Sequence, residues 1–341
     1  MLLSRTRSSR LHRLSQGVLF AVACGGNATE GGGMGPLDPA TQPETPPPNP
    51  QVCRGAPYPL VLSHGMAGFE RIGPINYFYN VAADLRSRGE QVFESQVAPY
   101  DSSEVRGRAL SQFIDQTLQT TGACKVIVIA HSQGGIDSRY VVSTLHFGDR
   151  IGALVTVGTP HQGTVVADVA LGTVQVAGFT AATLNALLLA IQGLTSNDTG
   201  NPNIKANLAQ LSTAQMATFN AQNPDDPRVR YYSVAGRSSL AAGNTDCTPG
   251  VWPNPSGLDI LDPLLSLPAS IFPFFDPPFK PTPNDGLVSV PSARWGRFLG
   301  CVPADHFDEV GQIADGADLV SGFYHRDLYR KLVETVHQEG N

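Results

Sequence analysis

The chain has 341 residues, a formal net charge of −6, 41% hydrophobic and 15% charged residues. That is enough chain to bury one large α/β core or two modest ones, and the acidic balance excludes nucleic acid and anionic headgroups as charge-bound partners. No stretch approaches the apolar length of a membrane-spanning helix.

The amino terminus reads as an export signal over residues 1–23. Arg5, Arg7, Arg10 and Arg13 precede a short apolar run, Gly17 to Ala23, and Cys24 follows. Small residues ending in cysteine resemble a bacterial lipoprotein signal, which would lipidate Cys24. The usual leucine three places earlier is Ala21, so plain cleavage near Ala23 stands as the second reading. Residues 24–52 are rich in Gly, Pro and Thr and include Pro46-Pro47-Pro48. Such a segment cannot bury enough apolar surface to offset its ordering, and it reads as a tether. Residues 53–341 read as the folded domain.

Within that domain, Tyr58 to Gly65 predicts a strand running into a glycine-containing loop, His64 to Gly68. Arg71 to Arg88 predicts an amphipathic helix, from Tyr77, Phe78, Val81, Ala82 and Leu85 at three/four spacing, closed by Gly89. Gln91–Pro99 alternates like a strand, and Ser103 to Leu118 predicts a helix. Val126 to Ile129 is a β-branched run too short for a helix, as expected of a strand buried on both faces. The pattern is then helical from Ile136 to about Phe147, with another strand at Ala153–Gly158. This β-α-β-α-β-α-β order predicts a doubly wound, mostly parallel sheet. Val165 to Leu194 is apolar with almost no charge, and reads as a lid or cap over about 164–200. A helix at Ser212–Asn220, a strand at Arg228–Gly236, a Pro-rich loop from Thr245 to Pro283, a short strand or hairpin at Ala293–Leu299 and a closing helix at Phe323–Val336 complete the chain.

The organising stretch is Ala130-His131-Ser132-Gln133-Gly134-Gly135. A strand, a tight turn with small residues two places either side of a serine, and then a helix make a nucleophile elbow. The turn strains the serine, and side chains at 130 or 134 would crowd it. In such folds the partners follow in the order serine, acid, histidine. Of the eight histidines, His12 lies in the signal and His146, His325 and His337 lie in predicted helices. His64, His131 and His161 flank the active edge but precede the acid, which leaves His306 as the base. Asp259, Asp262, Asp276 and Asp285 are candidate acids; Asp285, in Asn284-Asp285-Gly286 about twenty residues before His306, is the choice. Backbone N–H groups of Gln133 and Met66 are the candidate oxyanion hole, with Gly65 and Gly68 allowing close approach.

The ordered set Tyr58 to Phe69, Tyr77-Phe78-Tyr79, Ser103 to Gly107, Ala130 to Gly135, Gly158 to Thr164, Asn284 to Ser289, Ser292 to Gly296 and His306 to Val310 resembles the secreted pseudomonad-type triacylglycerol lipases. These are α/β hydrolases that bind calcium and are often folded by a dedicated membrane foldase. The resemblance covers about residues 55–337. It implies Ser132, Asp285 and His306 as a triad, Met66 and Gln133 as oxyanion donors, a mobile lid from Val165 to about Leu194, and Arg106 as a brace for the oxyanion loops. It also implies a structural calcium held by the carboxylates of Asp262 and Asp308 and the carbonyls of Gln312 and Gly316. Hard oxygens suit that ion. The family's disulfide is absent, because Pro291 stands at one of its cysteines. Since the strands after Cys53 and Cys124 would be parallel neighbours in this fold, a Cys53–Cys124 bridge is favoured, leaving Cys247 with Cys301. The implied function is triacylglycerol hydrolysis at an oil–water interface by an exported enzyme. A carboxylesterase for short soluble esters and a non-catalytic binding protein on the same scaffold are the competing readings.

Overall fold

The computed structural model describes residues 53–341 apart from 67, 69–70, 73–74, 176–203 (save Ala182), 239–249 (save Cys247), 254–258, 271, 273–281, 313–317 and 319. The signal, Cys24 and the tether therefore lie outside the described residues, as do most of the predicted lid and Gly316.

In chain order the elements are β1 (Leu60–Ser63), β2 (Arg71–Ile72), β3 (Ile75–Asn76), α1 (Val81–Ser87), β4 (Val92–Glu94), α2 (Ser103–Thr121), β5 (Val126–His131), α3 (Gln133–Ser143) and β6 (Ile151–Val157). Then follow α4 (Val165–Ala170), α5 (Ile204–Gln210), α6 (Thr213–Gln222), β7 (Arg230–Gly236), α7 (Pro263–Ala269), α8 (Val290–Ala293), β8 (Arg297–Val302) and α9 (His325–Gln338). Strands β4-β1-β5-β6-β7-β8 form a sheet in which every pairing is parallel.

The apolar runs of the strands are covered on both faces. On one, Leu60, Leu62, Ile127, Ile129, Val155 and Val234 pack with α1 and with Leu328, Tyr329, Leu332 and Val336 of α9. On the other, Val61, Val126, Val128, Ala130 and Leu154 pack with Leu110 and Ile114 of α2 and Val141 and Val142 of α3. Residues alternate between the faces because successive side chains of a strand point to opposite sides. At roughly 25 cal/mol per Å² of apolar surface, this two-sided burial is the main favourable contribution to folding.

Three expectations are corrected. The predicted helix Arg71 to Arg88 is helical only from Val81; its first part forms the antiparallel pair β2–β3. Gly73-Pro74 interrupts the run, and proline disfavours helix both at itself and at the residue before it. The Pro-rich loop after Thr245 contains helix α7, with Pro268 inside it. The suggested strand or hairpin at Ala293–Leu299 is the end of α8 followed by β8, a full member of the sheet.

The chain enters the sheet through a clamp. Cys53 is bonded to Cys124, Arg54 N–H donates to Gly122 O at 2.7 Å and Cys124 N–H donates to Arg54 O at 2.8 Å. The second disulfide joins buried Cys247 to Cys301 of β8. Replacing Cys53 and Cys124 together by serine opens a closed loop of 71 residues and is expected to lower the unfolding free energy by up to about 4 kcal/mol, read from denaturant melts of the isolated domain.

Candidate active site

Ser132 sits between the last residue of β5 and the first of α3, at φ 54° and ψ −132°. A non-glycine residue there costs about 1–3 kcal/mol and persists only where its surroundings hold it. They do so here. Ser132 N–H donates to Val157 O at 2.9 Å, and Thr159 Oγ1 donates to Ser132 O at 2.8 Å. Gly134 is required because an added Cβ would lie 2.5 Å from Ser63 O. Ala130 is fully buried in the face that packs on α2 and α3, where its methyl is accommodated.

His306 follows β8, and its Nδ1 lies 2.7 Å from Asp285 Oδ2, both residues buried. Asp285 is fixed from its other side, since Oδ1 accepts N–H bonds from Leu287 at 2.8 Å and Val288 at 2.7 Å. His306 N–H donates to Asp285 O at 2.9 Å, so the loops carrying the two residues are tied together by backbone as well. The His306 ring lies 4.5 Å from that of His131, the residue before Ser132.

The loop after β1 approaches Ser132 so closely that a Cβ on Gly65 would lie 2.6 Å from Ser132 Cβ. Arg106 holds this loop from beneath. Its guanidinium donates to His64 O at 2.7 Å, to Gly65 O at 3.1 Å and to Ala98 O, and pairs with Asp137 at 2.7 Å. Both side chains of the pair are fully buried. Losing one partner of such a pair costs about 3–5 kcal/mol because the other charge is left uncompensated. Met66 packs between the cluster of Ile136, Leu208 and Met216 and that of Tyr100, Leu265 and Phe307. Gln133 N–H heads α3, where unpaired helix N–H groups and the helix dipole favour negative charge.

Beneath the histidine lies a buried polar layer. Tyr77 Oη and His131 Nδ1 are 2.7 Å apart, and His131 Nε2 and Glu309 Oε2 are 2.9 Å apart. Burial, then neighbouring Asp285 and Asp305, pushes the Glu309 carboxyl well above its usual range. Burial, then His306, pushes His131 well below the usual histidine range. Beside the histidine loop, carboxylate oxygens of Asp259, Asp305 and Asp308 lie within 4.8 Å of one another. Crowding raises all three: burial first, then Asp305, lifts Asp308 to about 8, and burial lifts Asp305 to about 6.

Residues 58–184 match the family model described as the alpha/beta hydrolase fold. A triacylglycerol lipase of Vibrio cholerae is 30% identical over 304 residues, covering 83% of this chain and 88% of that protein. The chain belongs to this lipase family. A triacylglycerol lipase of Pseudomonas fragi is 29% identical, with 76% of this chain and 90% of the relative covered. Among solved structures, the mature Bacillus licheniformis lipase BlEst2 superposes with a TM-score of 0.56 at 20% identity, over 84% of this chain and 94% of that one.

In this lipase-family chain the structure brings Ser132, His306 and Asp285 to the same edge of the sheet, with Gly65-Met66 and Gln133 beside them. Asp262 N–H donates to Asp305 Oδ2 at 2.7 Å, which ties Asp262 to the edge of the cluster of Asp259, Asp305 and Asp308. Gln312 closes that loop by donating to Phe307 O at 3.1 Å. His161 lines no reacting atom: it stacks on Trp295 and meets Thr156 Oγ1 at 3.0 Å. His146, expected in a helix, stands at φ 60° before a short 3-10 turn. Sequence reasoning gave Glu309 no role, and nothing in its Asp-Glu-Val setting betrays the burial it finds beside Gly158 and Gly236.

Gly65→Ala is expected to lower kcat by roughly a hundredfold or more, since the new methyl displaces the loop that crosses over Ser132; steady-state hydrolysis of a soluble p-nitrophenyl ester reads it.

Proposed function

We propose that this chain is a triacylglycerol lipase in which Ser132 is the nucleophile, His306 the general base and Asp285 its orienting acid. The observation that carries the reading is the strained Ser132 backbone beside a buried His306–Asp285 pair at 2.7 Å. In this reading His306 Nε2 takes the Ser132 proton as Oγ adds to the ester carbonyl. Asp285 stabilises the imidazolium, and the N–H groups of Met66 and Gln133 receive the oxyanion. His306 then protonates the departing alcohol. Water repeats the sequence on the acyl-enzyme and releases the fatty acid.

A calcium ion held by Asp262 and Asp308, beside Asp259 and Asp305, belongs to the same proposal. The donor set fits: hard carboxylate oxygens of Asp259, Asp305 and Asp308 crowd together, and Asp262 adjoins them through its bond to Asp305. The carbonyls of Gln312 and, outside the described residues, Gly316 complete the set that the resemblance implies. Bound there, the ion supplies charge neutralisation that fixes the loop carrying His306. Export, an acyl anchor at Cys24 and assistance from a foldase are proposed on the amino-terminal pattern and the family. Among the described residues, no helix is long and apolar enough to cross a membrane.

Ser132→Ala is expected to abolish hydrolysis of triolein emulsions and labelling by a fluorophosphonate. Undiminished turnover by that variant would overturn the triad. A rise in rate on passing from monomeric to emulsified substrate distinguishes a lipase from a carboxylesterase, which shows none.

Calcium titration by calorimetry is expected to show at least tenfold weaker binding for Asp262→Asn and for Asp308→Asn. In excess chelator the folded-state carboxyls of Asp305 and Asp308 lie above the range of an unfolded chain, at about 6 and about 8. The native state then holds protons that the unfolded state has released. Their stabilising effect is complete below about pH 4 and is lost as pH rises through 6 to 8. Melting temperature in chelator is expected to fall across that window by about 5 °C, with calcium restoring it at pH 8.

A further inference from the structure

Helix α5 carries a buried amide that no step above employs. Asn207 is fully buried, and its Nδ2 donates to Gln133 Oε1 at 2.7 Å and to Asp101 O at 2.8 Å. Gln133 Nε2 donates to the same Asp101 carbonyl at 3.0 Å. A backbone carbonyl can only accept, so it sets the orientation of both amides. Three residues later on α5, Gln210 Oε1 accepts the N–H of Ser103 at 2.7 Å, the first residue of α2. The same helix α2 bears Arg106, which holds the Gly65 loop.

We propose that Asn207 is a positioning residue for the oxyanion hole, with Gln210 as its auxiliary. Asn207 clamps the side chain of Gln133, so that the first turn of α3 cannot rotate and the Gln133 N–H keeps its aim. Gln210 fixes the start of α2, from which Arg106 reaches the loop of Met66. One short helix therefore braces both arms of the hole. The inference rests on the assignment of Gln133 and Met66 as oxyanion donors.

The economics of burial favour this role over simple packing. Asn207 Oδ1 is buried with no hydrogen-bond partner, which is unfavourable in a dry interior. A leucine of similar volume would fill the position without burying that oxygen. What the asparagine supplies, and leucine cannot, is an NH₂ group aimed at two acceptors.

Asn207→Asp tests the role with almost no change in shape. An ionised carboxylate there faces the Asp101 carbonyl and the Gln133 amide, and whichever way Gln133 turns, one oxygen–oxygen contact remains. With a soluble p-nitrophenyl ester, kcat is expected to fall roughly tenfold while KM stays within about twofold. Affinity for an alkylboronic acid, which mimics the tetrahedral intermediate, is expected to fall by the same factor as kcat. Gln210→Ala is expected to give a smaller loss, roughly threefold, with the same split between kcat and KM. Val336→Ala on α9, which removes packing from the opposite face of the sheet, is expected to lower melting temperature without changing kcat well below that temperature. The proposal is overturned if Asn207→Asp and Gln210→Ala lose only thermal stability, with kcat and boronate affinity as in the parent chain. Ser132→Ala, assayed in parallel, separates the two layers: activity retained there removes the oxyanion assignment itself, whereas an inactive Ser132→Ala beside a fully active Asn207→Asp removes only the brace.

Discussion

Everything at the active edge depends on holding one residue in a backbone conformation it would leave if released. Ser132 at φ 54° stores strain in a position where its side chain projects clear of the sheet. The sheet supplies the restraint. Its N–H is taken by Val157 of the adjacent strand, and its carbonyl is held by Thr159 just past that strand's end. Residues with a side chain at 65 or 134 would push into Ser132 or Ser63, so the glycines there are consequences of the turn and of the close loop that crosses it. The hydrophobic packing of β1, β5 and β6 is therefore what keeps the serine strained.

The second constraint is electrostatic. Arg106 and Asp137 form a fully buried ion pair at the site, and the arginine also donates to three backbone carbonyls of the surrounding loops. A buried pair seldom adds stability over an apolar pair of similar volume, and its value lies in specifying geometry. That fits its place beneath the Gly65 loop, where carbonyl direction sets N–H direction in the neighbouring peptides. Behind His306 the opposite device operates. Burial pushes the Glu309 carboxyl well above its usual range and His131 well below, while His306 Nδ1 lies 2.7 Å from Asp285 Oδ2 and 3.8 Å from Glu309 Oε2.

Much of this arrangement was legible in the chain because it is encoded by local spelling. The β-branched run before Ser132, the small residues around it and the order of Asp285 and His306 all follow from short-range rules of strand, turn and helix. The spelling failed where long-range packing decides. Arg71 to Arg88 carries helical spacing, yet Gly73-Pro74 divides it, and Arg71–Ile72 pairs with Ile75–Asn76 as strands instead. Asn207 and Gln210 gave no signal at all, since amides on a short helix acquire meaning only through the loop and strand end they meet.

The loop bearing His306 shows how these levels combine. Among its described residues the regular structure is a single turn at Asp308–Val310, so it borrows rigidity from its neighbours. Cys301, five residues upstream, is bonded to Cys247, and this anchors the end of β8 from which the loop departs. The backbone bond from His306 to Asp285 O fixes the middle. Asp305 then folds the next residues around its own carboxylate, accepting N–H bonds from Phe307 at 2.9 Å and Asp308 at 3.0 Å on one oxygen and from Asp262 at 2.7 Å on the other. With Asp305 consumed in this way, Asp259 and Asp308 are left facing each other across a gap that like charge makes unfavourable. Carboxyls crowded in this way hold their protons more tightly, and burial together with the neighbouring Asp305 lifts Asp308 to about 8.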